Sequence, residues 1–273
     1  MAAPPHPFLV DGLHVVHSAP AAAGPGAGGA RPPWLLVHGA GHGAWCWEPW
    51  QGHLAAHGWE SYALSLRGHA GSRAVDPETF CRRLRVEDYA DDVAAVAGHI
   101  GRPCVVVGHS MGGAVVQSFA ARHLAAGGAL AALVLLTSVG PGQLGPLREQ
   151  PLPTDAPYAL DEATIKARYF HTAPPEVLAW ALARIGPESP AVMNQATTGA
   201  GVPIAPEAIA CPVLVVTAGH DGSVVPRDGR IAEYYGGDWL HDADIGHDVM
   251  LEAGWEALLE RIAAWVERQG ERG

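Results

Sequence analysis

The chain has 273 residues, 48% of them hydrophobic and 16% charged, with a formal net charge of −11. That length and apolar content suit one large α/β domain, or a core with an inserted subdomain, and exclude a globally disordered chain. The acidic balance excludes partners that must be met with basic patches, such as nucleic acid or an anionic membrane, and leaves a small-molecule substrate open.

The first residues, MAAPPHPFLVDG, have neither the basic start nor the apolar stretch of a signal peptide. No apolar run approaches the ~18 residues of a membrane span, so a cytoplasmic location and no membrane partner are expected. FLVDGLHVVH (8–17) predicts two short strands turning at Asp11-Gly12. Residues 18–33, rich in Gly, Pro and Ala, predict a flexible surface loop. WLLVHG (34–39) is a short continuous apolar run, the pattern of a strand buried on both faces. EPWQGHLAAHG predicts a helix with Pro49 in its first turn and Gly58 at its end. WESYALSL (59–66) predicts a strand, and VEDYADDVAAVAGHI (86–100) a helix with one apolar face. PCVVVGHS then reads as a strand and MGGAVVQSFAARHLAAGG as a helix closing at Gly127-Gly128. ALVLLTS (132–138), CPVLVVTAG (211–219) and GDWLHDAD (237–244) predict three more strands, and EAGWEALLERIAAWVERQ (252–269) a C-terminal amphipathic helix.

Strands alternating with helices predict an α/β fold with a mostly parallel, doubly wound sheet. The alternation stops over 140–210, which is proline-rich and carries the helical stretches DEATIKARYF and PEVLAWALARI. This segment predicts a mainly helical lid inserted above the sheet, dividing the core into 1–139 and 211–273. Cys46, Cys81, Cys104 and Cys211 show no CxxC and no metal spacing, and read as free buried thiols of a reducing compartment. The 15 histidines form no HxH or HExxH pattern, so neither metal nor cofactor is expected.

One stretch asks for chemistry. GHSMGG (108–113) puts a serine between glycines where a buried strand gives way to a helix. G-x-S-x-G in that context is a nucleophile elbow: the serine takes an unfavourable backbone conformation, so its neighbours must be small. A serine hydroxyl is a weak nucleophile at neutral pH and needs a base, itself oriented by a carboxylate. With the chain order Ser, acid, His, Ser110 is followed by Asp221 in GHDGSVVP and His247 in IGHDVMLE, each just past a predicted strand. Asp228, Asp242, Asp244 and Asp248 compete for the acid; Asp221 leads because it stands at a strand exit before Gly222. His109, His220 and His241 read as scaffold residues. An acyl intermediate also needs donors for its oxyanion, expected from the backbone N–H of Met111 and of Ala40 in HGAGHGAWCW.

These motifs, HGAGHGAWCW, RGHAGS, GHSMGG, GHDGSVVP and GHDVMLE in order, resemble the α/β-hydrolase superfamily over nearly the whole chain. HGAGHGAWCW looks like the branch of plant methyl-ester esterases, hydroxynitrile lyases and related bacterial esterases. The resemblance implies Ser110 as nucleophile, Asp221 as acid, His247 as base, and Ala40 and Met111 as oxyanion donors. Lyases of that branch carry a lysine directly after the catalytic histidine, where this chain has Asp248, which argues against cyanohydrin cleavage. In many relatives the RGHAGS stretch reads D-x-R-G-x-G-x-S; here Ser65 replaces the aspartate and Ala70 a glycine, which touches a turn and not the chemistry.

The expected activity is hydrolysis of a carboxylic ester of a small or medium apolar acid. Its pocket is expected between sheet and lid, with His42, Trp45, Phe170, Trp180 and Met193 as walls. A lyase, cyclase or thioesterase using the same site, and a receptor-like protein with little turnover, are the alternatives that residues alone leave open. The residues say nothing of the oligomeric state.

Overall fold

The computed structural model describes residues 5–20 and 31–271. Most of the loop expected over 18–33 therefore lies outside the described residues. The expected hairpin forms as β1 (His6–Val10) and β2 (Leu13–Ser18). With β3 (Trp34–Val37), β4 (Ser61–Leu64), β5 (Val105–His109), β6 (Ala132–Leu136), β7 (Val213–Ala218) and β8 (Asp238–Asp242), these strands make one sheet in the order β1-β2-β4-β3-β5-β6-β7-β8. β2 runs antiparallel to β1 and to β4; from β4 to β8 every neighbour pairs parallel.

The continuous apolar runs have a direct cause. In β5, Val106 packs into one core layer while Val105 and Val107 pack into the other. β6 does the same, with Leu133 and Leu135 on one face and Ala132, Val134 and Leu136 on the other. α1 (Glu48–Ala56) and the C-terminal helix Trp255–Gly270 cover one face; α2 (Val86–Ile100) and α3 (Met111–Ala125) cover the second. α3 stops two residues short of the expected Gly127-Gly128 end.

Between β6 and β7 lie α4 (Glu162–Tyr169), α5 (Pro175–Leu182) and α6 (Pro190–Thr197). α6 packs against α2, α3 and a π-helical turn at Thr79–Arg83, and its Val192 and Ala196 join the core layer of those helices. This part of the segment extends the core instead of standing above it. The elements without a sequence expectation include the π-helical turn and the six-residue α7 (Arg230–Tyr235), which leads to β8. The C-terminal helix is α8 (Trp255–Gly270). Among the described residues no helix is long and apolar enough to cross a membrane. The four cysteines are unbridged, with Cys46, Cys81 and Cys104 buried.

This topology fixes where a ligand can sit. The chain leaves β3 for β4 on one side and returns to β5 on the other, so loops after β3 and β5 diverge and leave a crevice at their carboxyl ends.

Candidate active site

Ser110 ends β5 and starts α3, at φ 54° and ψ −121°, a strained conformation for a residue with a side chain. The strain is held by close packing: a Cβ on Gly112 would collide with the carbonyl of His38 at the end of β3. The loop after β3 lies against the serine, since a Cβ on Gly39 would come within 2.9 Å of Ser110 Cβ.

His247 Nε2 is 2.8 Å from Ser110 Oγ, and His247 Nδ1 is 2.9 Å from Asp221 Oδ1. The second contact is at ion-pair distance, with the N–H bent off the line to the oxygen. All three side chains are buried, Ser110 least so at 8% exposure. Asp221 is held by the N–H groups of Ser223 (2.7 Å) and Val224 (2.9 Å) on its Oδ1. Burial alone would raise its carboxyl, but the His247 charge and these donors hold it below its ordinary value. Burial would likewise lower the His247 imidazole, and Asp221, then Asp248, outweigh it and raise it. Of the competing aspartates, Asp228 pairs with Arg230, Asp242 with Arg261, Asp244 is exposed and Asp248 pairs with His42.

Met111 follows the serine, and Ala40 follows Gly39 in the loop that lies against it. Met111 opens α3, so its N–H has no partner within the helix, and among the described residues none accepts from the Ala40 N–H. His109 donates from Nε2 to the His247 carbonyl (3.1 Å), which also receives the Thr137 hydroxyl (2.9 Å). His109 is thus a scaffold residue, as expected, and burial with the neighbouring His247 charge pushes its imidazole down to about 3. His220 stacks on His171, and His241 Nδ1 lies 2.9 Å from the Thr217 hydroxyl.

Of the five expected wall residues, three form an aromatic cluster and two pack on the core layers. His42 is buried, its Nδ1 2.8 Å from the Ala40 carbonyl and its Nε2 3.0 Å from Asp248 Oδ2. Trp45 stacks on His42, and Trp180 meets Trp45 edge-on. Phe170 packs on the α1–α8 core layer and Met193 on the opposite one. None of the five lines the narrow cleft over Ala40 and Gly41, of about 10 Å³, which is walled by Tyr158, Leu160, Ile165, Tyr169 and Ile185. That space holds about one water. A second cavity of about 60 Å³ touches Asp221, Thr137 and Val224, and neither space is lined by Ser110 or His247.

Asp248 lines neither of these two spaces. It is buried among His42, His109 (3.6 Å) and His247. Sequence reasoning also missed Glu188, fully buried against Gly41, His69 and Tyr89. His109, His247 and Asp248 bring one donor atom each within 4.8 Å, but Nε2 of both histidines and Nδ1 of His247 already face Ser110, Asp221 and the His247 carbonyl. A metal there would have to displace those contacts. At the surface, His53, His57 and Glu260 form a second such group.

A family model described as the alpha/beta hydrolase family matches residues 34–261. The mouse protein named "Protein phosphatase methylesterase 1" is 32% identical over 99 residues, 36% of this chain and 26% of the relative. "Methylesterase 18" of Arabidopsis thaliana is 32% identical over 116 residues, 42% of each chain. The chain thus matches about a quarter of the first relative's length and less than half of the second's. Among solved structures, the Arabidopsis methylesterase MES16 superposes with a TM-score of 0.69 at 20% identity, over 86% of this chain and 99% of that one. Polyneuridine aldehyde esterase gives 0.67 at 17%, over 85% and 99%. At these identities the two structures speak for the fold.

Proposed function

The chain belongs to the alpha/beta hydrolase family, and from that premise we propose that it is a serine esterase that cleaves a carboxylic ester of a small or medium apolar acid through an acyl-enzyme. The observation that carries this reading is the strained Ser110 with its Oγ 2.8 Å from His247 Nε2. Ser110 Oγ attacks the ester carbonyl as His247 Nε2 takes its proton. Asp221 keeps the imidazole oriented and offsets its charge. The N–H groups of Ala40 and Met111 receive the oxyanion. The tetrahedral species collapses as His247 returns the proton to the leaving alkoxide, and alcohol departs. Water, deprotonated by His247, attacks the acyl-enzyme; the acid leaves and Ser110 regains its proton.

The apolar residues Leu160, Ile165 and Ile185, which wall the cleft over Ala40, support an apolar acid. The methylesterase names of the relatives favour methanol as the alcohol. On this reading the segment 140–210 acts as the lid and supplies those walls. Residues 1–139 and 211–273 supply the triad and the hole, and the reaction needs no metal or cofactor.

The test is a series of p-nitrophenyl esters of graded chain length, alongside a fluorophosphonate label. Turnover highest for short acyl chains and an adduct on Ser110 are expected. An adduct on another residue, or labelling without turnover on any ester, overturns the esterase reading.

A further inference from the structure

The Ala40–Gly41 peptide is held from both ends. Its carbonyl faces His42 Nδ1 at 2.8 Å, and its N–H donates to Glu188 Oε2 at 3.1 Å. The next carbonyl, of Gly41, accepts from the N–H of Gly186 at 2.8 Å. The approach is close: Gly41 sits at φ 72°, and a Cβ there would collide with the Gly186 carbonyl. Residues 186–188, in the segment between β6 and β7, therefore grip the loop after β3 on two successive backbone groups.

Glu188 is at the centre of this grip. It is 1% exposed and its two oxygens receive four donors. Oε2 takes the Gly41 N–H and His69 Nε2 (3.0 Å); Oε1 takes the Tyr89 hydroxyl (2.8 Å) and the Ser189 N–H (2.7 Å). Its backbone N–H and carbonyl pair with Tyr158, a wall of the cleft. His69 Nδ1 faces the Arg67 carbonyl at 3.1 Å, so both nitrogens of that ring face acceptors and it carries both protons, opposite the carboxylate.

We propose that Glu188 is a positioning residue of the oxyanion hole: by fixing the Ala40–Gly41 peptide it aims the Ala40 N–H one peptide earlier, so the hole is complete only while the inserted segment is seated. This rests on the reading of Ala40 and Met111 as oxyanion donors. A carboxylate is needed because all four partners donate. An amide at this position turns its NH₂ toward either Gly41 and His69 or Tyr89 and Ser189, donor against donor.

The variant is Glu188→Gln, assayed with p-nitrophenyl acetate and with an alkyl boronic acid, whose serine adduct copies the tetrahedral species. A misaimed donor is expected to lower kcat by ~10–100-fold with little change in KM, and to weaken the boronate by a similar factor. Loss of fold alone lowers the active fraction and leaves the boronate affinity of the surviving enzyme unchanged. Fluorophosphonate labelling of the wild-type chain separates the two readings. If Ser110 is not labelled, the esterase reading falls. If Ser110 is labelled and Glu188→Gln keeps wild-type kcat and boronate affinity, the positioning role is overturned. Should Glu188→Gln not fold, Tyr89→Phe decides, since it removes one donor from Oε1. A several-fold parallel loss of kcat and boronate affinity supports the role, and unchanged values overturn it.

Discussion

Asp248 Oδ2 lies 3.0 Å from His42 Nε2, and neither side chain is more than 1% exposed. Burial alone would raise the Asp248 carboxyl, but His42, then His109 and His247, hold it below its ordinary value. Removing one member of such a pair leaves the other buried and uncompensated. Asp248→Ala is therefore expected to lose about 1–3 kcal/mol of stability, the cost of a buried donor left without its acceptor. The measurement is urea denaturation; an unchanged midpoint at unchanged slope refutes the pairing.

Ser110→Ala is expected to abolish fluorophosphonate labelling and to lower ester turnover on the order of 10⁴-fold or more, since triad members act as one unit. Residual turnover within tenfold of wild type points to another nucleophile.

His247 acts as a base only when neutral. Its imidazole is raised above 6.5 because Asp221 and Asp248 outweigh burial, so kcat/KM is expected to climb with pH through a midpoint above that value. Asp221→Asn removes the main counter-charge. The midpoint is expected to move to lower pH while the rate falls ~10⁴-fold. Asp244→Asn, at an exposed position, serves as the control and keeps wild-type rates.

The buried His69–Glu188 pair makes stability depend on pH from both sides. Glu188 is lowered from 4.5: burial opposes this, and the His69 charge with the hydrogen bonds from His69, Ser189 and Tyr89 prevails. Its contribution is present above 4.5 and is lost as pH falls through its folded value. His69 is raised from 6.5, Glu188 outweighing burial, so its contribution is full below 6.5 and is lost as pH rises through its folded value. The gap in Tm between wild type and Glu188→Ala is thus expected to be widest between pH 4.5 and 6.5. A gap that is flat across acid and alkaline pH contradicts the ion pair.

Esters are expected to turn over and mandelonitrile-type cyanohydrins not. The position after His247 is Asp248, a carboxylate locked in the histidine cluster, so this position offers no positive charge to take up departing cyanide. The comparison is kcat/KM for both classes at one pH near neutrality; faster cyanide release refutes the hydrolase reading.

Much of this was legible in the chain because burial on both faces of a parallel strand leaves an unbroken apolar run, as in Val105-Val106-Val107. Ser110 and Asp221 were legible because each follows such a run, and His247 because it follows β8; parallel strands bring these exits to one edge. α7 and the π-helical turn at Thr79–Arg83 were not, being too short to show an apolar period. Glu188 had no local signal at all: its side-chain donors Tyr89 and His69 and the Gly41 N–H lie 99, 119 and 147 residues away. Three of the residues expected as walls form an aromatic cluster, His42 on Trp45 and Trp45 against Trp180.

The two hydrogen bonds on the His247 carbonyl come from His109, next to the nucleophile, and from Thr137, just past β6. Ser110 and His247 thus share one mechanical frame. On the proposed mechanism, heat slackens one against the other only by opening the sheet beneath both. Inactivation and unfolding are then expected to coincide in temperature, and a lineage selected for work in the cold would have to loosen this joint first.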